Sequence, residues 1–273
     1  MTANLQNTKM LSSSDQDIGQ YVEPKRGLAP QDIGLYHRID LPGVEDVGWV
    51  WDLRGREDSY LGRYDFNGKR VLEFGAANGG LTFWMEQQGA EVVALDLSPD
   101  IARTSWDVLF LPEDDVTEIK RVMSTRMRGL NNGFWYAHEY LDSKARLVYG
   151  TAYDVPTEIG RFDVVTLGAI LQHLRDPLGA LENAMSFTDQ SIIITDTVPV
   201  FIRDDLQHLP LAYFAPQERL RTPHGGWTWW DVTAEVYVRF LELKGWRVIS
   251  KTVGSYEHKS GPRECYTIVA ERG

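Results

Sequence analysis

Val71-Leu-Glu-Phe-Gly-Ala-Ala-Asn-Gly-Gly80 reads as an apolar strand that carries a carboxylate near its end and breaks into a glycine turn. Glu73, Gly75 and Gly79 fit the pattern E-x-G-x-x-x-G, in which glycines let the backbone approach a ligand closely where a strand hands over to a helix. A dinucleotide fingerprint would read G-x-G-x-x-G and seat a pyrophosphate on the following helix. Here Ala77 takes the place of the second glycine and an acid precedes the turn, an arrangement that suits a cationic nucleoside ligand without phosphates. The alternative is a turn of structural purpose alone. Leu81 to Gln88 has a helical pattern closed by Gly89, and Glu91-Val-Val-Ala-Leu-Asp96 is a buried strand that ends on an acid. Together these form one βαβ unit. Asp96 lies 21 residues beyond Gly75, where a doubly wound fold places the carboxylate that binds ribose hydroxyls. A solvated acid that caps the next helix is the plainer reading.

With those residues in view, the segment resembles motif I of the class I S-adenosylmethionine (SAM) dependent methyltransferases. The resemblance implies an α/β fold: a doubly wound, Rossmann-like, mixed seven-stranded sheet. It implies a cofactor site at Glu73, Gly75, Ala76, Asn78, Gly79, Asp96 and Leu97, with SAM bound and S-adenosylhomocysteine left as product. Leu147 to Pro156 then corresponds to the third strand and the loop that flanks the adenine, at Thr151, Ala152, Tyr153 and Asp154. Many members carry an acid where this chain has Thr151, so Ala152 backbone groups or Asp154 would have to serve, and Asp154 reads equally as a turn residue. Phe162 to Pro177 resembles the fourth strand and its turn, with Leu167, Gly168 and Ala169 beside the methionine part and the transferring methyl. His173 follows, as a base or as a structural histidine. Ser191 to Thr197 is the fifth strand, ending in Asp196, which orients an acceptor or bonds to loop amides. Helix Thr233 to Leu243 leads to a closing hairpin of Trp246–Val253 and Glu264–Ala270.

Three segments lie outside this cofactor framework. Residues 1–20, rich in Ser, Asp, Gln and Thr, read as a disordered or loose arm. Residues 21–66 form an N-terminal cap before a cofactor domain at 67–273; its Trp49 and Trp51 alternate as in a strand and either meet substrate or anchor the cap. The approach to the first strand, and the long connection after Asp96 with its insert at 103–146, resemble the methyltransferases related to the tRNA wobble-uridine carboxymethyl-transfer enzymes. In that insert Tyr136 either lines the site or fastens the segment. Residues 198–232 should lie over the cofactor as a lid, where Trp227, Trp229 and Trp230 stack on an acceptor or pack a homodimer contact. His224, in the same segment, is a second candidate base.

The 273 residues are 43% hydrophobic, enough for one sizeable α/β domain with decorations. Net charge is −11, and no run of Lys or Arg would follow a phosphate backbone, which disfavours nucleic acid. A lone cysteine, Cys265, excludes an internal disulfide and fits a cytoplasmic setting. No stretch reads as a membrane span or secretory signal, and the six His are too scattered for a metal site. The expectation is therefore a SAM-dependent methyltransferase acting on a small molecule, a natural product or sugar-like metabolite, with oxygen favoured as acceptor. A tRNA wobble-uridine modifying enzyme and a non-catalytic SAM-binding protein are the alternatives.

Overall fold

The computed structural model describes residues 21–45, 47–105, 107, 113–214 and 228–273. The expected arm at 1–20, His224 and Trp227 lie outside the described residues. The chain runs β1 (Trp51–Asp52), α1 (Glu57–Tyr60), β2 (Arg70–Phe74), α2 (Gly80–Gln87), β3 (Glu91–Asp96), α3 (Pro99–Ser105), α4 (Glu113–Tyr140), β4 (Arg146–Tyr149), β5 (Phe162–Gly168), α5 (Pro177–Ser186) and β6 (Thr188–Thr197). It continues with β7 (Ala212–Phe214), β8 (Trp230–Val232), α6 (Ala234–Leu243), β9 (Trp246–His258) and β10 (Arg263–Arg272).

One eight-stranded sheet has the order β1-β9-β10-β6-β5-β2-β3-β4. Strands β4, β3, β2, β5 and β6 are parallel, whereas β10 runs antiparallel to both β6 and β9. The seven strands read from the sequence are all present in the doubly wound arrangement. The eighth comes from the cap, where Trp51 and Asp52 pair with His258 and Glu257 at the far end of the long β9. An unpaired strand end exposes its backbone groups, and the cap pairs with the last two residues of β9.

Period-two alternation sorts the buried strand residues between two layers. Val71, Val92, Ala94, Val164 and Ile193 face one layer, built from the cap, α2 and α4. Leu72, Phe74, Val93, Leu95, Val165, Ile192 and Ile194 face the other, with α5 and α6. The insert after β3 contains α3 and the 28-residue α4. Of the segment expected as a lid, residues 198–214 and 228–232 are described, with β7 and β8 forming a two-stranded antiparallel ribbon. No helix among the described residues is long and apolar enough to cross a membrane.

Candidate active site

The carboxyl ends of β2, β3, β4 and β5 open onto a cavity of about 870 Å³, a size suited to a cofactor together with a small ligand. Its floor is the glycine turn. Gly75 adopts φ +77°, and a Cβ there would come 2.8 Å from Cδ1 of Ile170, so a side chain would be strained and crowded. Ala77 holds the same left-handed region at φ 53°, unusual for a residue with a Cβ. Its N–H donates to Oδ2 of Asp96 at 2.6 Å, and Leu97 N–H donates to Oδ1 at 2.7 Å. A carboxylate has about four acceptor sites. Asp96 thus keeps acceptor capacity beyond those two bonds, on a residue that lines the cavity. Burial pushes its carboxyl up to about 6, against the two amide bonds that favour the charged form.

Glu73 takes a different place from the one its sequence position suggested. It shares its strand face with Val71, toward α2, where its carboxyl accepts from Oγ1 of Thr82, and it does not line the cavity. Burial pushes it up to about 7, with the Asp96 charge adding to the shift and the Thr82 bond opposing it. Asn78 is likewise turned away. Its Oδ1 accepts from Tyr36 N at 2.8 Å and His37 N at 2.7 Å, and its Nδ2 donates to His37 O at 2.9 Å. Asn78 thereby clips the cap to the glycine turn. Gly79, at φ +84°, packs against Phe83 and Phe134.

Among the expected adenine-side residues, Thr151, Ala152 and Tyr153 line the cavity. Asp154 does not; its backbone closes a tight turn with Thr151, whose hydroxyl also accepts from the Asp154 amide at 3.0 Å. At the end of β5, Gly168 and Ala169 line the cavity, whereas Leu167 packs in the core. Ala169 is also left-handed, at φ 51°, with its amide bonded to Thr195 O. A second strained residue beside the cavity fits the tendency of such backbone to cluster at functional sites. His173 lines the cavity from the one-turn helix Leu171–His173.

The expected substrate residues divide. Trp51 lines the cavity, its indole N–H 3.3 Å from the Tyr36 hydroxyl. Trp49 packs against the cap core under Arg38. Tyr136 donates to Pro42 O at 2.8 Å and fastens the cap to α4. Asp196 is buried and accepts from Thr197 N at 2.8 Å. The indoles of Trp229 and Trp230 donate to the carbonyls of Asp107 and Arg175, so both tie their segment to neighbouring loops, and neither lines the cavity.

Sequence reasoning missed the opposite wall. Met123, Met127 and Leu130 of α4 line it, a stripe with helical spacing that marks one face but not its purpose. Tyr36 comes from the cap, His258 from the end of β9, Lys259 from the turn after it and Arg263 from the start of β10. Asp107 accepts from the Tyr153 hydroxyl at 2.6 Å and from Arg175 N at 2.9 Å, joining the loops beside Tyr153 and Arg175. No group of three or more potential metal ligands occurs among the described residues.

The family described as methyltransferase domain matches residues 55–250. A ubiquinone biosynthesis O-methyltransferase of Xanthomonas oryzae pv. oryzae is 28% identical over 157 residues, 53% of this chain and 54% of the relative. The match therefore spans about half the length of that curated relative. Among solved structures, the YcgJ protein of Bacillus subtilis superposes with a TM-score of 0.52 at 13% identity, covering 80% of this chain and 98% of that one. A methyltransferase candidate of Bacillus halodurans C-125 gives 0.53 at 12% identity, covering 80% and 99%. Both share the fold.

Proposed function

The chain belongs to the methyltransferase-domain family, and from that premise we propose that it binds SAM in this cavity and transfers the methyl group to a small-molecule acceptor, with oxygen as the accepting atom. The observation that carries the reading is Asp96: a buried carboxylate fixed by the amides of Ala77 and Leu97, with acceptor capacity left beside the cavity. When bound, SAM supplies a methyl carbon made electrophilic by its sulfonium. Asp96 accepts from the ribose hydroxyls. Thr151, Ala152 and Tyr153 flank the adenine, and Gly75 leaves room for the backbone to approach. Gly168 and Ala169 keep the end of β5 narrow enough for an acceptor to reach the methyl group. Orientation and exclusion of water are then the main catalytic tasks. For a hydroxyl acceptor, His173 takes the proton, as a neutral imidazole is available near pH 7.

Oxygen is supported by the Xanthomonas relative, which is named for O-methylation. RNA is disfavoured as acceptor by the net charge of −11. The test is isothermal titration with SAM and S-adenosylhomocysteine, followed by an acceptor screen read by mass spectrometry. Binding of both ligands is expected, and failure of both to bind folded protein overturns the proposal. His173→Ala should lower turnover on the order of 100-fold with S-adenosylhomocysteine affinity retained. Undiminished turnover of that variant across pH would remove the general base and leave positioning alone.

A further inference from the structure

Part of the cavity lining is a row of three rings. Tyr36 and His37 lie on a segment that bridges to Trp51, the Tyr36 hydroxyl meets the Trp51 indole N–H at 3.3 Å, and the Trp51 ring packs edgewise on His258 at 4.8 Å between centroids. Tyr36, Trp51 and His258 all line the cavity. The row ends in cations. The guanidinium carbon of Arg126 stands 5.9 Å from the Tyr36 ring at one end. At the other, Lys259 and Arg263 lie close enough to His258 to hold its imidazole below the usual range, after burial as the larger cause. Lys259 is fixed there by its amide, which donates to Val50 O at 2.9 Å. Among the described residues none of these three cations has an ion-pair partner, although acids outnumber bases by 39 to 28 in the chain.

Of the five acids that line the cavity among the described residues, four are otherwise engaged. Asp107 is held by Tyr153 and Arg175, Asp231 accepts from the amides of Val200 and Phe201, Asp204 accepts from Gln207, and Asp96 is bonded to the glycine turn. The fifth, Glu264, lines the cavity next to Arg263 in β10, where strand alternation sends the two side chains to opposite faces. We infer that the acceptor is a planar, anionic molecule, its ring set against the half-buried Tyr36 and His258 beside the buried Trp51, and its carboxylate or phosphate bound by Arg126 at one end or by Lys259 and Arg263 at the other. This names the substrate class of the site proposed above and rests on that reading.

The experiment begins with protein saturated with S-adenosylhomocysteine, so absence of that first binding event marks failure of the cofactor reading. The loaded protein is then titrated with benzoate, 2-naphthoate and phenyl phosphate, and with the neutral benzyl alcohol and 2-naphthol. At least one aryl anion should bind about tenfold or more tightly than its neutral counterpart, the scale of one charge-assisted hydrogen bond. The carboxylate and phosphate arms tell which oxyanion fits. Combined Lys259→Gln and Arg263→Gln, or Arg126→Gln, should reduce that preference to about twofold or less, with S-adenosylhomocysteine affinity kept as the test of folding. All three side chains are exposed at the cavity mouth, so their loss leaves the core intact. Equal affinity for anion and neutral ring, no anion binding at millimolar concentration, or a preference that survives all three substitutions would overturn the inference.

Discussion

Two buried carboxyls lie under the glycine turn, Asp96 beside the cavity and Glu73 turned away from it. Glu73 and Asp96 are pushed up to about 7 and about 6, principally by burial. Both values exceed those of an unfolded chain, so between about pH 4 and 7 the folded state binds more protons than the unfolded one, and stability rises as pH falls through that window. Glu73→Gln keeps an acceptor for the Thr82 hydroxyl and removes the ionised form. It should stabilise the protein by up to roughly 3 kcal/mol at pH 8 and by no more than about 1 kcal/mol at pH 5, where the folded state holds Glu73 neutral and only ionisation of the unfolded chain opposes folding. Denaturant unfolding at the two pH values checks this; a gain of equal size at both would show that the charge is not its source. Asp96→Ala should instead weaken SAM binding by roughly 1.5–3 kcal/mol, and the affinity of the unsubstituted protein should fall as Asp96 protonates below about pH 6. Calorimetry with SAM over pH 5–8 reads both effects. Asp96 and Gly75 were legible because strand, turn and acid follow one another in the chain. The burial of Glu73 against Thr82 was legible only in part, since an acid two residues before a glycine does not say which face of its strand it takes.

Among the elements, α4 decides how cap and cofactor turn meet. The sequence marked 103–146 as an insert without revealing that most of it is one long helix. The reason is that Gly129 and Gly133 interrupt the helical pattern, and their use lies in a contact some 95 to 100 residues away in the chain. Gly34 N donates to Gly129 O at 2.8 Å, and the cap backbone crosses the helix at this notch. A Cβ on Gly133 would stand 2.4 Å from the carbonyl oxygen of Gly34, whereas one on Gly129 would meet nothing closer than 3.4 Å. Alanine gains about 1 kcal/mol over glycine within a helix, and overpacking costs about 1–3 kcal/mol. Gly129→Ala should therefore raise the melting temperature slightly. Gly133→Ala should lower it, because backbone rather than a flexible side chain must yield. Thermal scans of the pair decide the matter, and a rise for both would mean that the cap does not press on the helix. Since Asn78 holds the cap to the glycine turn at the same crossing, Gly133→Ala should also weaken SAM binding.

For the whole molecule, the cap is the feature whose role was least legible. Its aromatic residues stood out in composition, but whether Trp49 and Trp51 anchor a separate cap or complete the main core depends on long-range packing that no periodicity encodes. Leu35, Leu41, Trp51, Leu53, Tyr60, Leu61 and Phe66 are buried in one cluster with Val71, Leu81, Phe83 and Phe134 of the cofactor domain. The Tyr60 carbonyl also accepts from the hydroxyls of Thr195 on β6, at 2.6 Å, and Thr267 on β10, at 3.0 Å. Burying each large apolar side chain contributes about 1.5–3 kcal/mol, so seven of them contribute about 10–20 kcal/mol before the entropy of ordering the segment is counted. That is as large as the whole stability of an ordinary domain, roughly 5–15 kcal/mol. Removal of residues 1–66 should consequently abolish folding of the remainder, and the intact chain should unfold in one cooperative transition. Calorimetry of the intact chain and circular dichroism of the truncated one provide the measurement. A soluble, cooperatively folding 67–273 fragment would show that the cap only rests on the domain. An unfolded fragment would mean that the wall carrying Tyr36 and Trp51 is built by the same packing that makes the fold stable, so the acceptor side cannot change without changing the core beneath it.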